Sequence, residues 1–508
     1  MKAEKYLFTK WQFIFILLAG TVIRFLYGYW SKAWLAAPDQ LAWILDLDEM
    51  LNNKTWHYVQ LVHAPHEGGS LLVSLLSLLF RPFQSIIPAL SWAALLIDTL
   101  SRWVQLKSAQ KLFGNRTALI FGIWTILSVP LLIPWGTVNY GLHSLFSFVP
   151  FVFLYVITKY RQNKYLPVIC GLFCGIAVSV SYDSLVLVMV SVFFILFVSE
   201  TFTNRLAKLF AFAAAFMLAV LPHMLARIYF DAAFSLNGDG LLSIRGVALD
   251  NTFSPTHFNH LATVWFTSLP GSFLLTFPTF LPAEIICILV CLFVFTGTIL
   301  YVRNKPVEKH LKTVSLSIVV LFVIVYALGS FYGKSYHQTG YVYYRHWCYI
   351  VPLLVLIMIK GFIHAGKFKW YIVGAWMVLC GIASLQYFRS FQKTDQPSYR
   401  QAGWILANKY SNDPGKLFQI HAMAEQAYQE ELLVGFGWGL SARIFRKSSS
   451  EVSLNKLVDI IRSSPVNCHP AMIRGIYYSF TKGITPVLDQ GLLIELTARF
   501  SENGKQNK

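Results

Sequence analysis

Five carboxylates and three histidines gather between positions 39 and 67 of this chain: Asp39, Asp46, Asp48, Glu49 and Glu67, with His57, His63 and His66. Carboxylates clustered in this way serve as a general base or hold a divalent cation. The segment opens at Ala37-Pro38-Asp39-Gln40, runs on as a helical stretch to Leu51 and turns at Asn52-Asn53. On such a helix Asp46 comes two turns after Asp39 and shares its face, while Asp48 and Glu49 point elsewhere. The same residues also describe a solvated polar helix in a loop outside a membrane. The composition alone does not separate the two readings.

The elements that position this cluster are apolar. Of 508 residues, 56% are hydrophobic and only 13% charged. A soluble chain carries near a quarter charged residues. Apolar runs of about twenty residues, the length that crosses ~30 Å of hydrocarbon, recur from Trp11 to Tyr387. A soluble enzyme, a disordered chain, a disulfide scaffold and an outer-membrane barrel are thereby excluded. The pattern predicts eleven spans, at 11–30, 85–106, 117–134, 142–159, 165–181, 184–199, 207–228, 281–301, 313–331, 347–364 and 369–387. The basic residues before position 11 resemble a signal peptide, but the apolar run is long and lacks a small-residue cleavage site, so it reads as a span. Residues 69–80 are too short to span and read as a re-entrant or interfacial helix, and 264–280 is a second candidate to dip into the membrane.

Charge sets the orientation. The expected inner loops hold 18 Lys/Arg, against six in the expected outer segments. By the positive-inside rule the N-terminus is cytoplasmic. The net charge of +18 is therefore read as topology, not as a nucleic-acid surface. Eleven spans place 388–508 outside, alongside the long loops 31–84, 229–280 and 332–346. The expected fold is an all-α polytopic membrane protein, with a transmembrane domain at 1–387 and a small α-rich C-terminal external domain at 388–508. That tail has turn signals at Asn412-Asp413-Pro414-Gly415 and Ser464-Pro465. Its glycine-aromatic segments, Gly435-Phe436-Gly437-Trp438-Gly439 and Arg474-Gly475-Ile476-Tyr477-Tyr478, read as a chance likeness rather than a repeat. Asn53-Lys54-Thr55 is a glycosylation sequon, relevant only in a eukaryotic secretory setting.

Polar residues within spans are costly and mark function by default. Asp98 and Arg102 stand one helical turn apart and are expected to pair, either structurally or functionally. Tyr182-Asp183 lies at an outer hairpin tip and either joins the external site or forms a polar turn. His223, alone beside Pro222, is expected to pack rather than ligate. The cysteine pairs Cys170/Cys174 and Cys287/Cys291 lack further ligands nearby for zinc.

Several of these features together resemble the GT-C superfamily of membrane glycosyltransferases, in particular its protein O-mannosyltransferase-like and aminoarabinose-transferase-like members. They are Arg24 near the outer end of the first span, Asp39 fifteen residues on, a short helix, Trp56, and the turn Pro65-His66-Glu67-Gly68-Gly69. Asp39 stands where the family has the Asp of an Asp-Glu pair, with Gln40 in place of Glu; Asp48-Glu49 repeats the dipeptide later. Tyr343-Tyr344-Arg345-His346-Trp347, followed by Pro352, is similar to the late outer arginine that meets the lipid phosphate of the donor. A guanidinium suits that task because it forks two hydrogen bonds to phosphate. An aromatic-belt arginine reaching lipid headgroups is the plainer alternative.

The resemblance implies sugar transfer, with inversion, from a polyprenyl-phosphate-linked donor to a glycan, lipid or protein acceptor on the outer side; a divalent cation is the one cofactor candidate. It makes Asp39 the general base, with Asp48 and Glu49 as further catalytic candidates. Arg345, with Lys334 or His337, would meet the leaving phosphate. Asp46 would orient acceptor or hold a cation, and His66 would transfer protons. The expected location is a bacterial inner membrane, among membrane lipids. A transporter or lipid flippase is the alternative reading, and a non-catalytic scaffold working through its tail is a third.

Overall fold

The computed structural model describes residues 9–31, 38–52, 72, 75–76, 78–80, 82, 86–128, 145–198, 202–234, 269–274, 281–304, 307–328, 347–363, 366, 369–390, 396–411, 413–424, 426–445 and 451–481. Among these residues the secondary structure is helical, without strands. The helices in chain order are α1 (Lys10–Ser31), α2 (Pro38–Asn52), α3 (Ile86–Phe113), α4 (Asn115–Leu127), α5 (Val149–Lys159), α6 (Leu166–Val180), α7 (Leu185–Val198), α8 (Phe202–Phe234), α9 (Leu269–Leu274) and α10 (Ala283–Arg303). Then follow α11 (Lys309–Leu328), α12 (Val351–Phe362), α13 (Lys369–Ser390), α14 (Gln396–Lys409), α15 (Pro414–Met423), α16 (Gln426–Ile444), α17 (Glu451–Arg462) and α18 (His469–Thr481).

Each of the eleven expected apolar runs contains a helix. Two of them, within Thr203–Ala226 and Ala283–Arg303, are long and apolar enough to cross a membrane. Helices α5, α6 and α12 are shorter than their apolar runs. Each has a proline in its first turn, Pro150, Pro167 and Pro352. Proline fits the first helical turn, where its missing N–H has no partner to lose, and so it fixes where the helix begins.

The chain divides into two compact units. The first comprises 1–33, 67–225 and 241–392, and the second 34–66, 226–240 and 393–508.

In the first unit, α12 is apolar on every side and buried on nearly every side, as expected of a central helix. It crosses α10 closely at Gly361 and Gly297, where a Cβ on either glycine would strike the other helix. Gly171 and Gly175 of α6 meet Ala215 and Ala219 of α8 in the same manner. Small residues four apart let helices approach when burial from water supplies no drive, as inside a bilayer. Between α3 and α4 the chain turns at Gly114, whose φ of 93° excludes most side chains. Lys360 of α12 donates to the carbonyl of Phe113 at 2.8 Å, satisfying an acceptor at the C-terminal end of α3.

The second unit is a helical bundle around α16, which packs against α14 on one side and α18 on another. Its core joins Leu406, Leu417, Leu432, Phe436, Leu457 and Met472 with Leu41, Ala42 and Leu45 of α2. The segment that holds α2 therefore folds with the tail. Helix α15 starts at Pro414, capped by Asp413, whose side chain accepts from the Lys416 amide at 3.3 Å. Helix α17 buries Leu454, Leu457, Val458 and Ile461, a stripe at helical spacing.

Candidate functional site

Four of the first-loop acids, Asp39, Asp46, Asp48 and Glu49, sit on α2, whose side toward the bundle is apolar at Leu41, Ala42 and Leu45. Asp46 and Glu49 are one helical turn apart, and both are almost wholly buried. Lys409, the last residue of α14, donates through Nζ to Asp46 Oδ2. The hydroxyl of Tyr410 donates to Asp46 Oδ1 at 2.5 Å. Lys416, in the first turn of α15, donates to Glu49 Oε2. Burial pushes the Lys409 pKa down, and the Asp46 carboxylate beside it pushes back. Burial, and then the negative charge of Asp46, raise Tyr410 well above an ordinary phenol, so it keeps its proton and acts as donor.

These contacts give Asp46 and Glu49 a structural task. A cation or an acceptor hydroxyl at either carboxylate would have to displace a buried ammonium group. The lysines were missed from sequence because they lie 363 and 367 positions away. The chemical expectation for the loop then rests on Asp39 and Asp48. Asp48 is partly exposed on α2. Asp39 lies in the first turn of the same helix, where the unpaired N–H groups of the helix start favour a negative charge; its side chain lies outside the described residues. His66, Lys334, His337 and Arg345 also lie outside them. Among the described residues no group of three His, Cys, Asp or Glu side chains is placed to hold a metal ion.

A polar cluster of the first unit lies at the entry to α12. The turn Tyr182–Ser184 between α6 and α7 buries Asp183 and Ser184. Ser184 Oγ lies 2.8 Å from the hydroxyl of Tyr349, just before α12. Tyr182 bonds through its hydroxyl to His223 Nε2 of α8 at 3.1 Å. Cys348 is buried beside Tyr349. Three distant segments thus meet through side-chain hydroxyls and an imidazole. Tyr182-Asp183 is accordingly more than an isolated polar turn, and His223 is held by a tyrosine. Arg345 precedes this cluster by two positions in sequence from Trp347.

The pair expected at Asp98 and Arg102 is present, with Nε to Oδ2 at 2.9 Å. It has a third member that the sequence did not reveal. Arg24 Nε also lies 2.9 Å from Asp98 Oδ2, close enough to pair but without hydrogen-bond alignment. The excess donors are absorbed by backbone. Arg24 donates to the carbonyls of Gly20 and Thr125 at 3.0 and 2.9 Å. Arg102 donates to the Leu17 carbonyl at 3.2 Å and to Thr21 Oγ1 at 2.8 Å. The cluster stitches α1, α3 and α4 together. A Cβ on Gly20 would collide with the Arg102 guanidinium, so the site is packed shut.

Comparison of the chain with protein-family models, with curated proteins and with solved structures finds no match.

Proposed function

We propose that this chain is a polytopic membrane glycosyltransferase, moving a sugar from a polyprenyl-phosphate-linked donor to a glycan, lipid or protein acceptor on the outer side of a bacterial inner membrane. The observation that carries the reading is the shared core of α2 with the tail helices. A core common to both requires the first loop and the tail to lie on one side of the membrane. An even number of crossings must then separate them, and the ten apolar runs expected between them satisfy that. Acidic loop and tail domain can therefore serve one external reaction.

In the proposed reaction Asp39 takes the proton of the acceptor hydroxyl. The hydroxyl oxygen attacks the anomeric carbon from the face opposite the phosphate, and the bond from that carbon to the phosphate oxygen breaks. The configuration inverts, and polyprenyl phosphate leaves with the bonding electrons. Arg345, with Lys334 or His337, stabilises the charge that develops on the leaving phosphate. The Ser184–Tyr349 hydrogen bond lies just before α12, four positions after Arg345 in sequence.

The transporter or flippase alternative draws on the buried Arg24–Asp98–Arg102 charges, since intramembrane ions often line pathways. Their closed packing favours a structural stitch instead. Mass spectrometry of lipids that co-purify with the detergent-solubilised protein tests the reading. A polyprenyl-phosphate sugar enriched with the wild type and lost in Arg345→Ala is expected. Bulk phospholipid alone in both samples would contradict it.

A further inference from the structure

We propose that the recess between the α5–α6 turn, α7 and the start of α11 binds the phosphate headgroup of an anionic phospholipid, with an acyl chain lying along α7. The cavity holds about 650 Å³, within the size range of small-molecule sites. A second cavity of about 550 Å³ shares Glu308, Lys309 and Thr313 with it, so the two form one recess around the first turns of α11.

One end of the recess is cationic. Arg161, Lys309 and Lys312 line it, with Glu308 as the single carboxylate. Arg161 pairs with Glu308 across 147 positions, which closes the α5–α6 turn onto the start of α11. Lys312 donates to the Val302 carbonyl at 2.9 Å. His310 also lines the cavity. Its ring packs on Phe194 at 4.9 Å between centroids, and its Nε2 is buried with no hydrogen-bond partner. A buried polar nitrogen without a partner is costly unless a ligand supplies one. The other wall is apolar: Val190, Phe193, Phe194 and Val314. Phe193 and Met189 of α7 stay exposed to the surroundings, continuing that wall outward.

A site with a basic mouth, a hydroxyl at Ser317, and an aromatic-aliphatic wall complements a molecule that is anionic at one end and hydrocarbon at the other. The shared chemistry is a phosphate with negative charge. The apolar wall favours a lipid as its source over free phosphate. Arg161, Lys309 and Lys312 belong to the loops that the charge distribution assigns to the cytoplasmic face, so the lipid would come from the inner leaflet. The proposal rests on the membrane reading of the chain and is independent of glycosyl transfer.

The test is native mass spectrometry of the full-length protein in neutral detergent, titrated separately with phosphatidylglycerol, phosphatidylcholine and inorganic phosphate. Wild type is expected to retain phosphatidylglycerol in preference to phosphatidylcholine. The double variant Arg161→Gln/Lys309→Gln is expected to weaken that binding about thirtyfold, the effect of two basic groups near a lipid phosphate. Lys164→Gln, on the same loop but outside the recess, is expected to leave it unchanged. Equal retention of both lipids, or a double variant that binds like wild type, overturns the site. Displacement of phosphatidylglycerol by equimolar inorganic phosphate overturns the lipid as its occupant. Thermal unfolding of the double variant, expected to match wild type, separates lost binding from lost fold.

Discussion

The two units bury charge in different ways. In the first, two arginines share one aspartate, and backbone carbonyls and a threonine hydroxyl take the surplus donors. In the second, each carboxylate has its own lysine, Asp46 with Lys409 and Glu49 with Lys416. The first arrangement joins α1, α3 and α4, whose apolar runs already mark them as packed helices. The second joins a loop helix to elements more than 360 positions away. Apolar contact alone would accept many partners for α2. Two buried ion pairs accept few, because a mismatched partner leaves an uncompensated charge. In the first unit, charge reinforces an association that hydropathy already supplies. In the second, it selects one.

The largest effect that would break this comparison is expected from Asp98→Asn. It leaves two buried guanidinium groups without a carboxylate, at a cost of roughly 3–5 kcal/mol. Loss of folded protein in detergent, read by size-exclusion yield and thermal unfolding, checks it. An unchanged yield would mean that the backbone carbonyls suffice.

Asp46→Asn is expected to cost about 3 kcal/mol by stranding Lys409, with Tyr410 left donating to a neutral amide. The double variant Asp46→Leu/Lys409→Met sharpens the comparison. Replacing both members of a buried pair is often near neutral, so it is expected to unfold above either single variant. Additive losses would contradict a specific pair.

Gly437→Ala is expected to cost about 1–3 kcal/mol, because its Cβ would strike the Met472 backbone of α18. Thermal unfolding reads this as well.

The smallest effect is on pH dependence. Burial lowers the pKa of His421, at the end of α15, below its usual 6.5. The unfolded chain therefore binds the proton more readily than the folded one. The contribution is fully present above the unfolded pKa and is lost as pH falls from there through the lower folded pKa. His421→Gln should flatten the unfolding curve below about pH 6.5 and leave it unchanged above.

Much of the architecture was legible in the sequence. Every expected apolar run contains a helix, because hydropathy reports burial or bilayer contact directly. The Asp98–Arg102 pair was legible because one turn of one helix sets its geometry. Arg24 was not recognised as its third member, since that depends on how α1 crosses α3. Lys409 and Lys416 were equally hidden, being ordinary basic residues in a polar tail. The glycines of α16 carry a signal separate from the chance likeness of their segment to residues 474–478. Gly435 and Gly439 are four apart and meet α14, while Gly437 meets α18. Glycine spacing within a helix records close neighbours on two sides, and here it marks α16 as the centre of its bundle.

The central claim is that the first-loop acids divide, with Asp46 and Glu49 paired in the core of the second unit and the proposed chemistry assigned to Asp39. The most direct measurement is thermal unfolding of the full chain in detergent for Asp39→Asn and Asp46→Asn, side by side. The account predicts a fall of at most about 3 °C for Asp39→Asn, the loss of a charge at a helix start, and a fall of roughly 10 °C for Asp46→Asn. Equal midpoints, or a larger fall for Asp39→Asn, would contradict it.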